Sequence, residues 1–360
     1  MKLFSCQGCG QLLYFENVLC ESCGRPLGYL TDLTEISALD PIEGAGWAVL
    51  AAPGQAYKYC HNYDAGMCNW MLPAESPEEF CAACRHNRVI PDLSVPGNDV
   101  LWRKIETAKH RLFYSLLRLN LPMENRTDDP EHGLTFDFLA DPPESHAAAV
   151  LTGHDNGLIT LAVREADDAV REKVRGEMGE PYRTLLGHFR HETGHYFWDR
   201  LVQDNPARLD ACRALFGDER VDYAESLQKH YNEGAPAGWQ NDYVSTYATT
   251  HPWEDFAETW AHYLHIVDTL ETAGAFGLKV KPRRARGALA AAIDFDPYKA
   301  LEMQTLVDAW LPIEFATNSL NRSMGLTDLY PFVISPKVIE KLNFVHALTH
   351  RRRPALRKVS

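Results

Sequence analysis

Apolar positions along the chain fall into three textures. The first 95 residues carry little regular apolar periodicity, and one short strand is predicted there, at Leu12-Leu13-Tyr14-Phe15. From Asp99 to Leu119 the residues Leu101, Ile105, Leu112, Leu116 and Leu119 recur at helical spacing, which predicts a long helix with Asn98 or Asp99 as its N-cap. Pro122 to Pro143 is loop-rich, with one strand candidate at Leu134 to Leu139. Asn156-Gly157 then lies between the apolar runs Ala148 to Leu151 and Leu158 to Val163, a hairpin signature. Helical periodicity fills the rest, broken near Pro181, Asn205-Pro206, Gly234 to Gly238, Gly274 to Pro282 and Pro312. One helix is expected from Pro181 to Val202, and another opening at Pro252 with Thr250 or His251 as cap. The expected class is α+β: a mainly helical domain with a small sheet, preceded by a region held together by other means.

Cysteine supplies those means. Eight of the nine cysteines lie between Cys6 and Cys84, and only Cys212 lies beyond. Cys6-Gln7-Gly8-Cys9-Gly10 and Cys20-Glu21-Ser22-Cys23-Gly24 form the CxxCG repeat of a zinc ribbon. Each turn curls so that amide N–H groups face sulfur, and the following glycine takes the positive φ this requires. Four thiolates leave no open position, so this site is structural. Cys60, Cys68, Cys81 and Cys84 form a second candidate structural zinc site, in which His61 or His86 could replace one sulfur; buried free thiols are the alternative. The expected division is a ribbon at 1–30, a second cysteine-rich zinc-binding region at 31–95, a catalytic domain at 96–350 and a basic tail at 351–360.

Composition narrows the setting. With 45% hydrophobic and 11% aromatic residues over 360, the chain can build a core. A net charge of -13 disfavours binding along nucleic-acid phosphates. Met1 to Cys6 has no apolar signal-peptide core, and no apolar run reaches the roughly 20 residues needed to cross a bilayer. A soluble, cytoplasmic protein without a membrane or nucleic-acid partner is expected.

The chemistry lies in His191-Glu192-Thr193-Gly194-His195 and Glu254-Asp255-Phe256-Ala257-Glu258. Histidines at i and i+4 share one helix face and can reach one zinc ion, and Glu192 can take a proton from a metal-activated water. Glu254 and Glu258 share a face of the next helix: one carboxylate can ligate the metal, and the other can accept the free N–H of a ligand histidine and set its tautomer. Two histidines and a carboxylate leave a position for water. Gly194 is small enough to let another backbone pass close. His188 reads as a packing or supporting residue, and Asp255 and Asp268 lie off the reactive face. Tyr247 is the candidate oxyanion donor, with Tyr243 and His230 as weaker ones.

HExxH followed by Tyr-Ala-x-Thr-x-x-x-Glu-x-Phe-Ala-Glu resembles the gluzincin peptidases, most closely the catalytic domain of anthrax lethal factor. The resemblance implies a zincin-like fold, Glu254 as third zinc ligand, Glu258 as the carboxylate behind a ligand histidine, and Tyr247 as transition-state tyrosine. Over nearly its whole length the chain resembles a bacterial family of zinc-binding metallopeptidases with an N-terminal ribbon. That likeness rests on the ribbon, Leu158-Ile159-Thr160-Leu161, Gly179-Glu180-Pro181-Tyr182-Arg183 and Gly187-His188-Phe189-Arg190-His191-Glu192. The function expected is zinc-dependent hydrolysis of a peptide or protein substrate, with Leu158 to Val163 as a sheet edge for an extended substrate and a protein partner reached through the ribbon. The competing reading is a zinc-ribbon adaptor with a non-catalytic metal centre.

Overall fold

The two CxxCG turns fold as their glycines require, with Gly10 at φ 76° and Gly24 at φ 72°. The structure, a computed structural model, describes residues 1–44, 46–141, 150, 152–178, 180–284 and 289–350. Outside them lie Ala148, Ala149 and Leu151 of the expected hairpin, Gly179 and the basic tail from Arg351. The described residues form a mixed α/β protein with eight α-helices and several small sheets, in two compact units: residues 1–114 with 123–189, and residues 115–122 with those from 190 onward.

In the first unit, β1 (Phe4–Ser5) and β2 (Leu12–Leu13) form the ribbon hairpin. The second strand is shorter than expected because Asn17 Oδ1 accepts the Tyr14 N–H and turns the chain. Strands β3 (Leu27–Leu30), β4 (Glu35–Pro41), β5 (Trp47–Val49), β6 (Ala56–Tyr59) and β7 (Trp70–Pro73) then close into a barrel around Leu30, Leu39, Val49, Tyr57 and Met71. No two-residue alternation announced it. All of β3 and the middle of β4 are buried on both faces, so apolar and polar positions do not alternate there.

Strand β8 (Asn87–Val89) leads to α1 (Asn98–Arg118), which begins at the expected cap region. Within this unit Phe15 of the ribbon packs on Tyr29 of the barrel and Tyr114 of α1, with ring centroids 4.8 and 5.4 Å apart. Trp70 of β7 lies 5.0 Å from the His110 ring. Strands β9 (Thr135–Leu139), β10 (Gly153–Asp155) and β11 (Leu158–Ala162) complete a sheet of order β10-β11-β9-β8. Asn156 and Gly157 both take positive φ, the two-residue hairpin turn their sequence predicts. Strand β11 is not an edge: β10 pairs with it antiparallel and β9 parallel, so the expectation of a substrate-binding edge there is corrected. The hairpin folds back on one side and the parallel strand covers the other.

Helix α2 (Asp168–Met178) precedes α3 (Leu185–Trp198), which carries HExxH. The latter starts later than Pro181 because Thr184 caps it, its Oγ1 accepting the Gly187 N–H at 2.9 Å. A π-helical turn at Asp199–Gln203 ends it.

The second unit holds α4 (Pro206–Phe216), α5 (Tyr223–Glu233), α6 (Pro252–Ala275), α7 (Met303–Ser323) and α8 (Pro336–Thr349). His251 is the cap of α6, its Nδ1 accepting the Trp253 N–H at 3.1 Å. Phe256, Trp260, Tyr263, Leu264 and Val267 are buried, making α6 the central helix of this unit. Asp255, off the reactive face, meets Lys341 of α8 at 2.6 Å, and both are buried. Helix α7 runs through Pro312, where a break is expected from the sequence. The missing N–H strands the carbonyl of exposed Asp308, while Leu306, Val307, Trp310 and Ile313 stay buried and hold the helix together.

Because α1 shares a core with the ribbon and barrel, removing residues 1–95 should uncover His110 and Tyr114 and take Asn87 from Lys109. Each aromatic face so exposed forfeits about 1.5–3 kcal/mol. The remaining fragment is expected to melt well below the full chain and to aggregate; equal melting temperatures would contradict the shared core.

Candidate active site

The four sulfurs of Cys6, Cys9, Cys20 and Cys23 lie within 4.8 Å of one another. Cys6 and Cys23 are 3.7 Å apart, and Cys9 and Cys20 3.6 Å. Amides of Gly8 and Cys9 face the Cys6 sulfur, and those of Gln11 and Arg25 face Cys9 and Cys23. Such donors stabilise thiolate, and the amide of Arg25 pulls the Cys23 pKa down to about 6. Cys60, Cys68, Cys81 and Cys84 converge in the same way, all four buried. Backbone N–H groups of Trp70, Cys81 and Cys84 point at the sulfurs of Cys68, Cys60 and Cys81.

His61 and His86 are turned to other partners. His61 packs on Phe80, and the Nδ1 of His86 is 2.8 Å from the Leu134 carbonyl. The histidine beside this cluster is His110 of α1, whose Nε2 is 3.3 Å from Cys68 Sγ and 3.7 Å from Cys84 Sγ. Buried Glu106 and Lys109 pair at 2.9 Å on the same helix, and Trp102 donates to Glu106 at 3.1 Å. Lys109 thus puts a cation near a cluster of thiols inside the fold. The sequence carried a signal for this: Trp102, Glu106, Lys109 and Phe113 form one stripe of α1, with two charges between two large apolar residues.

In the second unit, the HExxH part of α3 meets α6 at Gly194. A Cβ there would stand 2.8 Å from the Ala257 Cα, so only glycine lets the two backbones come this close. The approach brings His191, His195 and Glu254 together, with ligand atoms within 4.8 Å of one another. The Nε2 atoms of His191 and His195 lie 2.9 and 3.4 Å from Glu254 Oε2. That oxygen is buried, and the two imidazole nitrogens are the polar groups that face it. His191 Nδ1 faces Glu258 Oε1 at 2.7 Å, while Ser245 donates to the other Glu258 oxygen at 2.6 Å. A carboxylate can only accept, so the His191 proton sits on Nδ1 in the neutral ring and leaves Nε2 bare toward Glu254. The Trp253 ring backs His195 at 3.9 Å, and the Tyr247 ring lies 5.8 Å from His191.

Burial disfavours a charge on His191, but the carboxylates of Glu254 and Glu258 outweigh it and raise its pKa well above the ordinary imidazole value. Burial likewise opposes ionisation of Glu254, yet His195 and His191 hold it well below the usual carboxylate range. Desolvation opposes ionisation of the part-buried Glu258 too, yet His191 brings it down to about 2. Burial and the Glu254 charge raise the Tyr247 phenol, on which the half-buried Glu192 also acts.

Other sequence candidates are placed elsewhere. His188 faces Glu165, 3.3 Å away, in the first unit. Asp268 pairs with Arg190 at 2.6 Å. Tyr243 lies against Lys341, and His230 is 3.2 Å from Thr249. Missing from the sequence reading is Tyr223, whose hydroxyl donates to Glu254 Oε1 at 2.8 Å. It opens a polar helix after its Asp222 cap, and nothing in that pattern marked it.

Residues 98–348 match the family described as "Putative zinc-binding metallo-peptidase", and residues 3–95 match a zinc-ribbon domain family. The chain belongs to that metallo-peptidase family. It is 41% identical over 354 residues to an uncharacterized protein of Mycobacterium bovis and, equally, to two of Mycobacterium tuberculosis, covering 98% of this chain and 97% of each relative. No solved structure matches it. Among the described residues, no helix is long and apolar enough to cross a membrane.

Two outcomes follow from this geometry. Gly194→Ala gains about 1 kcal/mol of helix propensity but must push α3 from α6 at a cost of about 1–3 kcal/mol. It should lower the melting temperature and weaken zinc retention together; an unchanged protein would show that the close approach is dispensable. Protonated His191 stabilises the metal-free fold fully below the unfolded value near 6.5, and this contribution is lost as pH rises through the raised folded value. Metal needs the neutral ring, so zinc uptake at neutral pH should release about one proton and tighten as pH rises. Calorimetry in buffers of different ionisation enthalpy measures this, and uptake without proton release would contradict the assignment.

Proposed function

We propose that the chain is a zinc-dependent peptidase of the gluzincin kind, with His191, His195 and Glu254 holding the catalytic zinc. The observation that carries this reading is the convergence of two imidazole nitrogens and the buried Glu254 Oε2, whose ligand atoms lie within 4.8 Å of one another. Burying such a carboxylate oxygen is costly unless a cation or donor meets it, and a zinc ion suits this donor set. Bound there, zinc would supply Lewis acidity, lowering the pKa of a water and polarising a scissile carbonyl.

The chain's own residues supply the rest. Glu192 accepts the proton of the attacking water and delivers it to the leaving amine. Tyr247 donates its hydroxyl to the oxyanion that develops on the carbonyl. Glu258, itself held by Ser245, fixes the tautomer and orientation of His191. Cys6, Cys9, Cys20 and Cys23 would hold one structural zinc, and Cys60, Cys68, Cys81 and Cys84 a second, each set closed to substrate. The chemistry then belongs to residues 96–350, and residues 1–95 serve recognition of a peptide or protein substrate.

The test is cleavage of a mixed peptide library followed by mass spectrometry, with Glu192→Gln beside the parent. The amide keeps the shape but cannot take the proton, so zinc content should be unchanged while turnover falls by about 10²–10⁴-fold. Equal turnover of the two would remove Glu192 from the mechanism.

A further inference from the structure

Tyr223 lies at the first turn of α5, distant in sequence from both zinc-site helices. Its ring sits beside His251 and Trp253, with centroids 5.3 and 6.5 Å away, and its hydroxyl reaches Glu254 Oε1 at 2.8 Å. Donor and acceptor bookkeeping fixes the direction of this bond. The carboxylate can only accept, so the Tyr223 proton points at Glu254. That bond occupies the Glu254 oxygen other than the one turned to the histidines.

We infer that Tyr223 is a positioning residue of the zinc site, keeping Glu254 to a single-oxygen ligand. This rests on the zinc-peptidase reading. Glu254 turns Oε2 to the imidazoles, and an unbonded Oε1 would be free to swing onto the same metal and fill the position that water needs. The hydroxyl of Tyr223 occupies Oε1 instead.

The experiment uses the full-length, zinc-loaded protein, with zinc retention read against a chromogenic chelator and kcat and KM read on a cleaved peptide. His195→Ala serves as the reference for ions held elsewhere in the chain. Tyr223→Phe keeps the ring and removes the hydroxyl; it should weaken retention of one zinc by about 10-fold or more and lower kcat with KM nearly unchanged. Tyr247→Phe should lower kcat and leave retention at the parent's level. If the phenylalanine variant melts early, Tyr223→His decides, because it restores a donor: parent-like retention supports the inference and its loss overturns it. Parent-like retention and kcat in Tyr223→Phe, with His195→Ala still losing one zinc, would overturn the role of Tyr223 alone. If His195→Ala holds as much zinc as the parent, the peptidase reading itself falls, and this inference with it.

Discussion

The contact on which the site depends is the close approach of two helix backbones at Gly194 and Ala257. A side chain at position 194 would sit 2.8 Å from the Ala257 Cα, and a wider spacing would part the histidines of α3 from the carboxylates of α6. Everything polar in the site follows from that spacing. Glu254 reaches both Nε2 atoms with one oxygen, Glu258 one turn later takes the Nδ1 of His191, and Ser245 steadies Glu258. Behind them α6 is buried along most of its length, so the carboxylates project from a helix that the core of the second unit holds in place.

Much of this was legible because helical spacing translates directly into geometry. The i, i+4 histidines, the i, i+4 glutamates, the proline at the start of α6 and the glycine within HExxH each named a position on a helix face, and the helices then brought those faces together. Tyr223 was not legible. It comes from a third helix, and only the folded chain places its hydroxyl on Glu254. The late start of α3 and the uninterrupted α7 have local causes: a threonine cap outcompetes a proline three residues earlier, and a buried apolar face carries a helix across a proline.

The N-terminal region divides the same way. Its cysteine spacing predicted two thiol clusters, and the sulfurs converge as two sets of four. The barrel that closes around Leu30, Leu39, Val49, Tyr57 and Met71 left no periodic trace, because short strands buried on both faces carry no alternation. Buried Glu106, Lys109 and His110 of α1 lie beside the second cysteine set. A cluster of thiolates in an apolar interior is costly unless charge and hydrogen-bond donors surround it, and α1 supplies both.

The central claim is that the two histidines and Glu254 hold a metal separate from those of the cysteine clusters. Zinc content of the purified chain, measured by elemental analysis beside that of His191→Ala, tests it most directly. The account predicts three ions per chain in the parent and two in the variant, with both cysteine clusters still protected from thiol reagents. The same zinc content in both proteins would contradict it.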